Sequence, residues 1–332
     1  MSDYLWDPSA EPDPDIERLE HLLRPLRTTS PVPVLPARTT RWMTPRFLGP
    51  ALAAAAAVLL MVGVTWRSES RQIGWSIASV SGDPQIESAS AREGGRLGVG
   101  QAIVTDAASR VRIEVDSIGA VTIDVNSRLR LVESRDGRQR LSLDHGTLHA
   151  QIVAPPGQFV VDTPSARATD LGCVYTLHVD DDGVGLLSVQ AGWVAFEFKG
   201  REVFVPSGAS ARTVPREGPG TPRYDDVDQP FQDSLDEVDY GGDPKRTEPS
   251  LDYVLTHARR RDAMTLWHLV SRVDPGHRLA VVDALARLVP MPDGATRDAV
   301  MRLDRTALDA WWNALGLQDA SWWRLWKRAY PQ

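Results

Sequence analysis

The sequence predicts a multi-part membrane protein: a short helical head, one transmembrane helix, an all-β domain built as a sandwich or a β-solenoid, and a small all-α C-terminal domain. Three observations carry that prediction. A twenty-residue window near the N-terminus has no ionisable side chain, residues 73–214 alternate polar and apolar side chains between turn signals, and residues 250–332 place apolar groups at helical spacing. The chain has 332 residues, enough for about two domains plus tails. A net charge of −7 supplies no basic face, which argues against nucleic acid as a direct partner.

Residues 1–30 form the head. Asp13-Pro14-Asp15 is a helix start: Asp13 can cap, Pro14 suits the first helical position, and Asp15 and Glu17 favour the positive dipole end. Ile16, Leu19 and Leu23 then make one apolar stripe, which Pro25 ends. Tyr4, Leu5 and Trp6, followed by Asp7, place large apolar groups in a polar setting. So short a segment cannot bury enough surface to fold alone. Its excess of acids is repelled by an anionic bilayer surface, so an amphipathic helix that folds on a basic protein partner fits better than a tail lying on the membrane. Tyr4, Leu5, Trp6, Asp7, Ile16, Leu19 and Leu23 are the candidate partner-binding residues.

Residues 31–46 are a Pro-rich spacer with Pro31, Pro33 and Pro36. Residues 47–66, Phe47 to Trp66, are the uncharged window; a helix of that length rises about 30 Å, the thickness of a bilayer's hydrocarbon core. Arg46 and Arg67 close it, and Trp42 and Trp66 stand where interfacial aromatics belong. A buried alanine-rich helix is the soluble alternative, but soluble domains rarely need so long an uncharged run. A cleaved signal peptide is disfavoured by the 46 residues that precede the window. Arg38, Arg41 and Arg46 before the span outnumber Arg67 and Arg71 after it, a slight bias toward a cytoplasmic N-terminus.

Residues 73–214 read as about a dozen short strands. Arg110–Val115, Ala120–Val125 and Arg128–Val132 each alternate with period two, and turn signals such as Asp136-Gly137, Pro156-Gly157 and Asp182-Gly183 separate such runs. Residues 215–249 are rich in Pro, Gly and acids, including Asp225, Asp226, Asp228, Asp233, Asp236, Glu237 and Asp239. Without EF-hand spacing they read as a solvated linker rather than a cation site.

Residues 250–332 read as helices. Tyr253, Val254, His257 and Ala258 suggest the first, and Met264, Trp267, His268 and Ser271 a second stopped by Pro275-Gly276. Leu279 to Val289 make a third, and later helices are expected over residues 295–303, 305–315 and 320–327. Six of the eleven tryptophans, Trp267, Trp311, Trp312, Trp322, Trp323 and Trp326, fall here. They read as core packing of a helical domain, with an exposed docking face as the alternative.

No sequence signature carries catalysis. There is no phosphate loop, no G-x-S-x-G elbow and no H-E-x-x-H helix, so the chain reads as a non-enzyme without a cofactor. His145 and His149, four apart, are a weak metal signal with only Asp144 as an acidic neighbour, so no metal is expected. Cys173 is the single cysteine and is expected to point into the β core as a small apolar residue.

An ordered series in the β region resembles the FecR domain of bacterial transmembrane regulators. It runs from Gly74–Gly82 and Leu97–Thr105 to Gly119–Leu129, then Leu143-Asp144-His145-Gly146-Thr147-Leu148. Phe159-Val160-Val161-Asp162-Thr163-Pro164, Asp170–Tyr175, Leu187–Val194 and Val205-Pro206-Ser207-Gly208 complete it, with Cys173 and Tyr175 where the family has Thr and Phe. The opening Asp3–Asp7 and the Leu-bearing helix are similar to the cytoplasmic head of certain anti-sigma regulators of this type. The resemblance implies a head that binds an extracytoplasmic-function sigma factor. It implies a single span in the bacterial inner membrane, with the N-terminus cytoplasmic and the C-terminus periplasmic. It also implies a periplasmic FecR-like domain that receives a signal from an unknown periplasmic or envelope protein. The head lacks the His…Cys-x-x-Cys zinc pattern of another anti-sigma class, and the helical C-terminus differs from the family's usual small α/β domain. The alternative reading is an envelope scaffold whose β domain recognises polysaccharide or protein.

Overall fold

The structure, a computed structural model, describes Arg18 and residues 74–317. The candidate head residues Tyr4, Leu5, Trp6, Asp7, Ile16, Leu19 and Leu23, the membrane-interface residues Trp42, Arg46, Trp66 and Arg67, and the whole 47–66 window lie outside the described residues. Arg18 itself is helical and exposed. Among the described residues no helix is long and apolar enough to cross a membrane.

Residues 74–224 form eighteen strands. The first nine are β1 (Gly74–Ser81), β2 (Gln85–Ile86), β3 (Ala89–Ser90), β4 (Arg96–Gly98), β5 (Ala102–Val104), β6 (Arg110–Val115), β7 (Gly119–Ile123), β8 (Arg128–Arg135) and β9 (Arg138–Ile152). Next come β10 (Phe159–Asp162), β11 (Arg167–Asp170), β12 (Val174–Val179), β13 (Gly185–Ala191) and β14 (Trp193–Phe198). The last are β15 (Arg201–Pro206), β16 (Ala209–Val214), β17 (Gly218–Pro219) and β18 (Arg223–Tyr224). Alternation does what the sequence requires. In β6, Val111, Ile113 and Val115 are buried while Arg110 is exposed and Arg112 and Glu114 are part-exposed.

Two sheets share one strand. The N-terminal arm of β9 pairs with β8 and β10, in a sheet that continues through β5 and β2 to β3 on one side and through β11 and β14 to β15 on the other. Its C-terminal arm pairs with β7 and β12, in a sheet running from β4, β1 and β6 to β13, β16 and the short β17 and β18. All ladders are antiparallel except β9 with β10. Their inner faces fill one core that includes Trp75, Ile113, Leu141, Leu148, Phe159, Leu177 and Phe196. Of the two architectures the sequence left open, the structure forms the sandwich; a solenoid would need parallel ladders along its length.

The strand changes sheets at Gly146. Its φ is +97°, and a Cβ there would stand 2.4 Å from Ser127 Cα. Ser127 Oγ fills that space, accepting from Thr147 N at 2.9 Å, while Ser127 N donates to Thr105 Oγ1 at 2.9 Å. A side chain at residue 146 would displace backbone, so the bend requires glycine.

The helical unit contains α1 (Gln229–Tyr240), α2 (Pro244–His257), α3 (Ala263–Arg272), α4 (Pro275–Leu288), α5 (Arg297–Met301) and α6 (Arg305–Ala314). Here the expected solvated linker at 215–249 is corrected: it folds into β17, β18, α1 and the start of α2. Most of the acids that made it look solvated have partners. Asp228 and Asp243 are N-caps, accepting from Phe231 N and Lys245 N. Asp236 and Asp239 pair with arginines distant in sequence. Pro275-Gly276, read as a stop, also begins α4, with Asp274 as cap and Pro275 in the first turn. Val254, Leu266, Leu269, Val282, Leu285 and Trp311 pack in a second core.

Candidate functional site at the joint of sandwich and helices

The edge strand β15 meets α3 and α6. Phe204 N, in β15, donates to His268 Nε2 at 3.0 Å, so a helix side chain caps an edge backbone group that would otherwise lie buried and unpaired. His268 is 5% exposed, and burial, then the charge of Arg272, lowers its pKa to about 3. The ring is therefore neutral and able to accept. Trp312 packs against this contact from α6. Its ring lies 4.7 Å from Trp267 and 6.0 Å from Phe204, both edge-on, and stacks on His268 at 5.7 Å. Met264 and Trp312 thereby belong to the core of the sandwich.

A buried ionic cluster flanks the aromatic one. Asp236 accepts from Arg212 at 3.3 Å and from Arg223 at 2.8 Å. Asp239, 1% exposed, pairs with the buried Arg272 and accepts from Thr221 Oγ1 at 2.8 Å. Burial raises the Asp239 pKa, with Arg272 as the largest opposing influence. Arg272 Nη1 donates to Pro219 O at 2.7 Å, and the Tyr240 hydroxyl lies 2.9 Å from Arg212 O and 3.1 Å from Gly218 O. Each contact ties a helix to β16, β17 or β18 or the turns beside them, so the sandwich and the helices are locked together chemically as well as by packing.

A second polar group sits inside the sandwich. Asp170, 1% exposed, accepts from Gly172 N at 2.6 Å and from Cys173 Sγ at 2.7 Å. Burial pushes the Asp170 carboxyl up to about 7, and it pushes the Cys173 thiol and the buried Tyr175 hydroxyl upward as well. Cys173 points into the core as its place before β12 requires, and its shifted pKa leaves it an unreactive thiol. His145 and His149 stand on the two arms of β9, on either side of the bend. His149 contacts Thr176 Oγ1 at 2.9 Å and Asp124 at 3.4 Å, and His145 lies 3.6 Å from Asp181. Among the described residues no three metal-ligating side chains converge.

Sequence reasoning missed the joint. Nothing in Phe204 or His268 announces a contact across 64 positions, and Asp239 reads as an acid of a solvated linker.

The polar groups inside the sandwich and the β9 bend fall within one matched stretch. Residues 101–195 match the family model described as FecR protein. The FecR match thus covers Ser127, Gly146, Asp170 and Cys173, while β15 and the helical unit lie beyond it. Two solved structures, at 1.65 and 2.50 Å resolution, are each described as a "putative anti-sigma factor" from Parabacteroides distasonis ATCC 8503. Each is 15% identical to this chain with a TM-score of 0.34, over 38% of this chain and 60% of that one. This chain therefore spans less than two thirds of those relatives. A comparison with the curated proteins finds no match.

Proposed function

We propose that this chain regulates an extracytoplasmic-function sigma factor. The observation that carries the reading is the FecR match at residues 101–195, on a chain that opens with an acidic amphipathic segment and an uncharged window. In this reading residues 1–30 bind the sigma factor in the cytoplasm and residues 47–66 anchor the chain in the inner membrane. The FecR segment and the helical unit receive a signal in the periplasm from an envelope protein. The work is done by binding energy: the Ile16, Leu19 and Leu23 stripe docks while the acids meet basic surfaces of the sigma factor. The joint at β15 supports a relay, because a partner that displaces the helices from the sandwich uncovers a capped strand edge.

The test is calorimetry of residues 1–46 against each sigma factor of the source organism. Binding is expected to bring a gain of helix. Leu19→Asp with Leu23→Asp is expected to cost several kcal/mol, and Trp6→Ala about 2 kcal/mol. Fusions of a periplasm-dependent reporter should be active after Arg71 and silent after Ser30. Absence of any sigma-factor binding, or binding that survives both leucine changes, leaves the envelope scaffold as the better reading.

A further inference from the structure

The chain enters the sandwich at one end, and the strand register shows what else stands there. β1 begins at Gly74, which pairs with Gly98 of β4, and Arg96 of β4 donates to Gly74 O. Ser76 pairs with Glu114 near the close of β6, and Val115 pairs with Gly119 at the opening of β7. Gly119 in turn pairs with Ile152, the last residue of β9. The turn at 116–118 and the crossing at 153–157 therefore stand at the same end as the entry point. Val153 N donates to Ile118 O at 2.7 Å, which joins the two.

Exposed apolar groups gather at this end. Among the described residues five large hydrophobic side chains are exposed, and three of them are here. Val153 is 86% exposed, and Val99, in the turn after β4, is 47% exposed. Val132, 37% exposed, follows Leu131, whose carbonyl accepts from Gly100 N of that same turn at 2.7 Å. Ile118 is half-buried beside Val153, and Pro155 and Pro156 extend the tip with side chains that carry neither charge nor hydrogen-bonding group. Of the other two, Leu186 lies on β13 opposite His178, toward the far end of the sheet, and Leu279 lies on α4. Single exposed valines are ordinary on a protein surface, so it is their concentration at the end where the chain enters that calls for a cause.

The connecting chain is short. Residues 67–73 separate Trp66, the end of the uncharged window, from Gly74, and seven residues reach at most about 25 Å when fully extended. On the reading of residues 47–66 as a span, on which this inference rests, that length keeps this end of the sandwich within reach of the lipid headgroups. Apolar side chains that enter the boundary between headgroups and acyl chains lose surface exposed to water. One valine contributes too little to hold a free protein on a membrane. The tether makes the contact intramolecular, so weak contributions suffice.

We propose that this end of the sandwich rests on the periplasmic face of the bilayer, with Val153, Val99 and Ile118 dipping into the lipid interface. The end that carries Leu186 then points away from the membrane.

The test reconstitutes the full chain into vesicles of phosphatidylethanolamine and phosphatidylglycerol that contain a lipid with a headgroup nitroxide. One environment-sensitive fluorophore is attached through Val153→Cys, Val99→Cys or Leu186→Cys, all exposed positions outside the core, and the parent chain with its buried Cys173 gives the labelling background. The labels at positions 153 and 99 should shift to the blue and lose emission to the nitroxide, whereas the label at position 186 should do neither. Alkaline carbonate separates the two ways of failing. If carbonate extracts the chain from the vesicles, the span and this inference fall together. If the chain stays in the membrane and the label at position 153 is quenched no more than the one at position 186, this inference is overturned and the span stands.

Discussion

Trp311 and Trp312 are neighbours in α6, neither exposes any surface, and they belong to different cores: Trp311 closes the helical core while Trp312 completes that of the sandwich. Successive helical residues point about 100° apart, so one short helix wedged between two layers can serve both. Removing either ring should cost about 3–5 kcal/mol. The effects should separate in hydrogen exchange. Trp312→Ala should expose the Phe204 amide and the β14–β15 ladder first, whereas Trp311→Ala, which also loses the bond from Nε1 to Val289 O, should loosen α4 first. The same exchange pattern from both variants would mean that the two cores are one cooperative unit.

The bend at Gly146 admits no side chain. Gly146→Ala combines φ +97° with a clash against Ser127 backbone and should cost roughly 3 kcal/mol or more, because both sheets hang on β9. Gly137, with φ +71° and nothing within 4 Å, is the control, and its alanine variant should cost only about 1 kcal/mol. Chemical denaturation of the two variants measures the difference, and equal costs would refute the steric account.

Asp170 makes the stability of the sandwich depend on pH in an unusual direction. The folded carboxyl keeps its proton up to about pH 7, whereas an unfolded one loses it near its ordinary value of 3.8. Between those values the folded state binds more protons than the unfolded state, so stability falls as pH rises from about 4 to 7. The full span corresponds to something on the order of 4 kcal/mol. Asp170→Asn should flatten the slope and be the more stable form above pH 7. A slope unchanged in the variant would assign the titration to another group.

The Asp239–Arg272 pair should follow the rule for buried ions. Asp239→Asn leaves a buried guanidinium without its counter-charge and should cost about 3–5 kcal/mol. Replacing both, Asp239→Leu with Arg272→Met, should recover much of that loss. A double-mutant cycle with little coupling energy would show that Thr221 and Pro219, rather than the ion pair, hold this contact.

Local rules made the strands legible. Period-two alternation and turn residues place the ends of β6, β7 and β8 within three residues, since each strand's buried face is set by its own side chains. The Gly146 and Cys173 positions were visible as parts of a recurring series, although their reasons, a strand passing between sheets and a thiol on a buried carboxylate, were not. Residues 215–249 misled because a run of acids looks solvated wherever its partners are remote. Asp236 is paired by Arg212 and Arg223, and Asp239 by Arg272.

What the sequence by itself determined is the kind of the strand region and of the helices after it: alternation specifies strands and helical spacing specifies helices. Only the tertiary structure decided that the β region is a sandwich with a shared strand, that the acidic stretch is part of the fold, and that α3 and α6 seal the edge of β15. The physical reason is range. Periodicity is written in neighbours a few positions apart, whereas the contacts of Phe204 with His268 and of Asp239 with Arg272 join residues whose pairing no local pattern encodes.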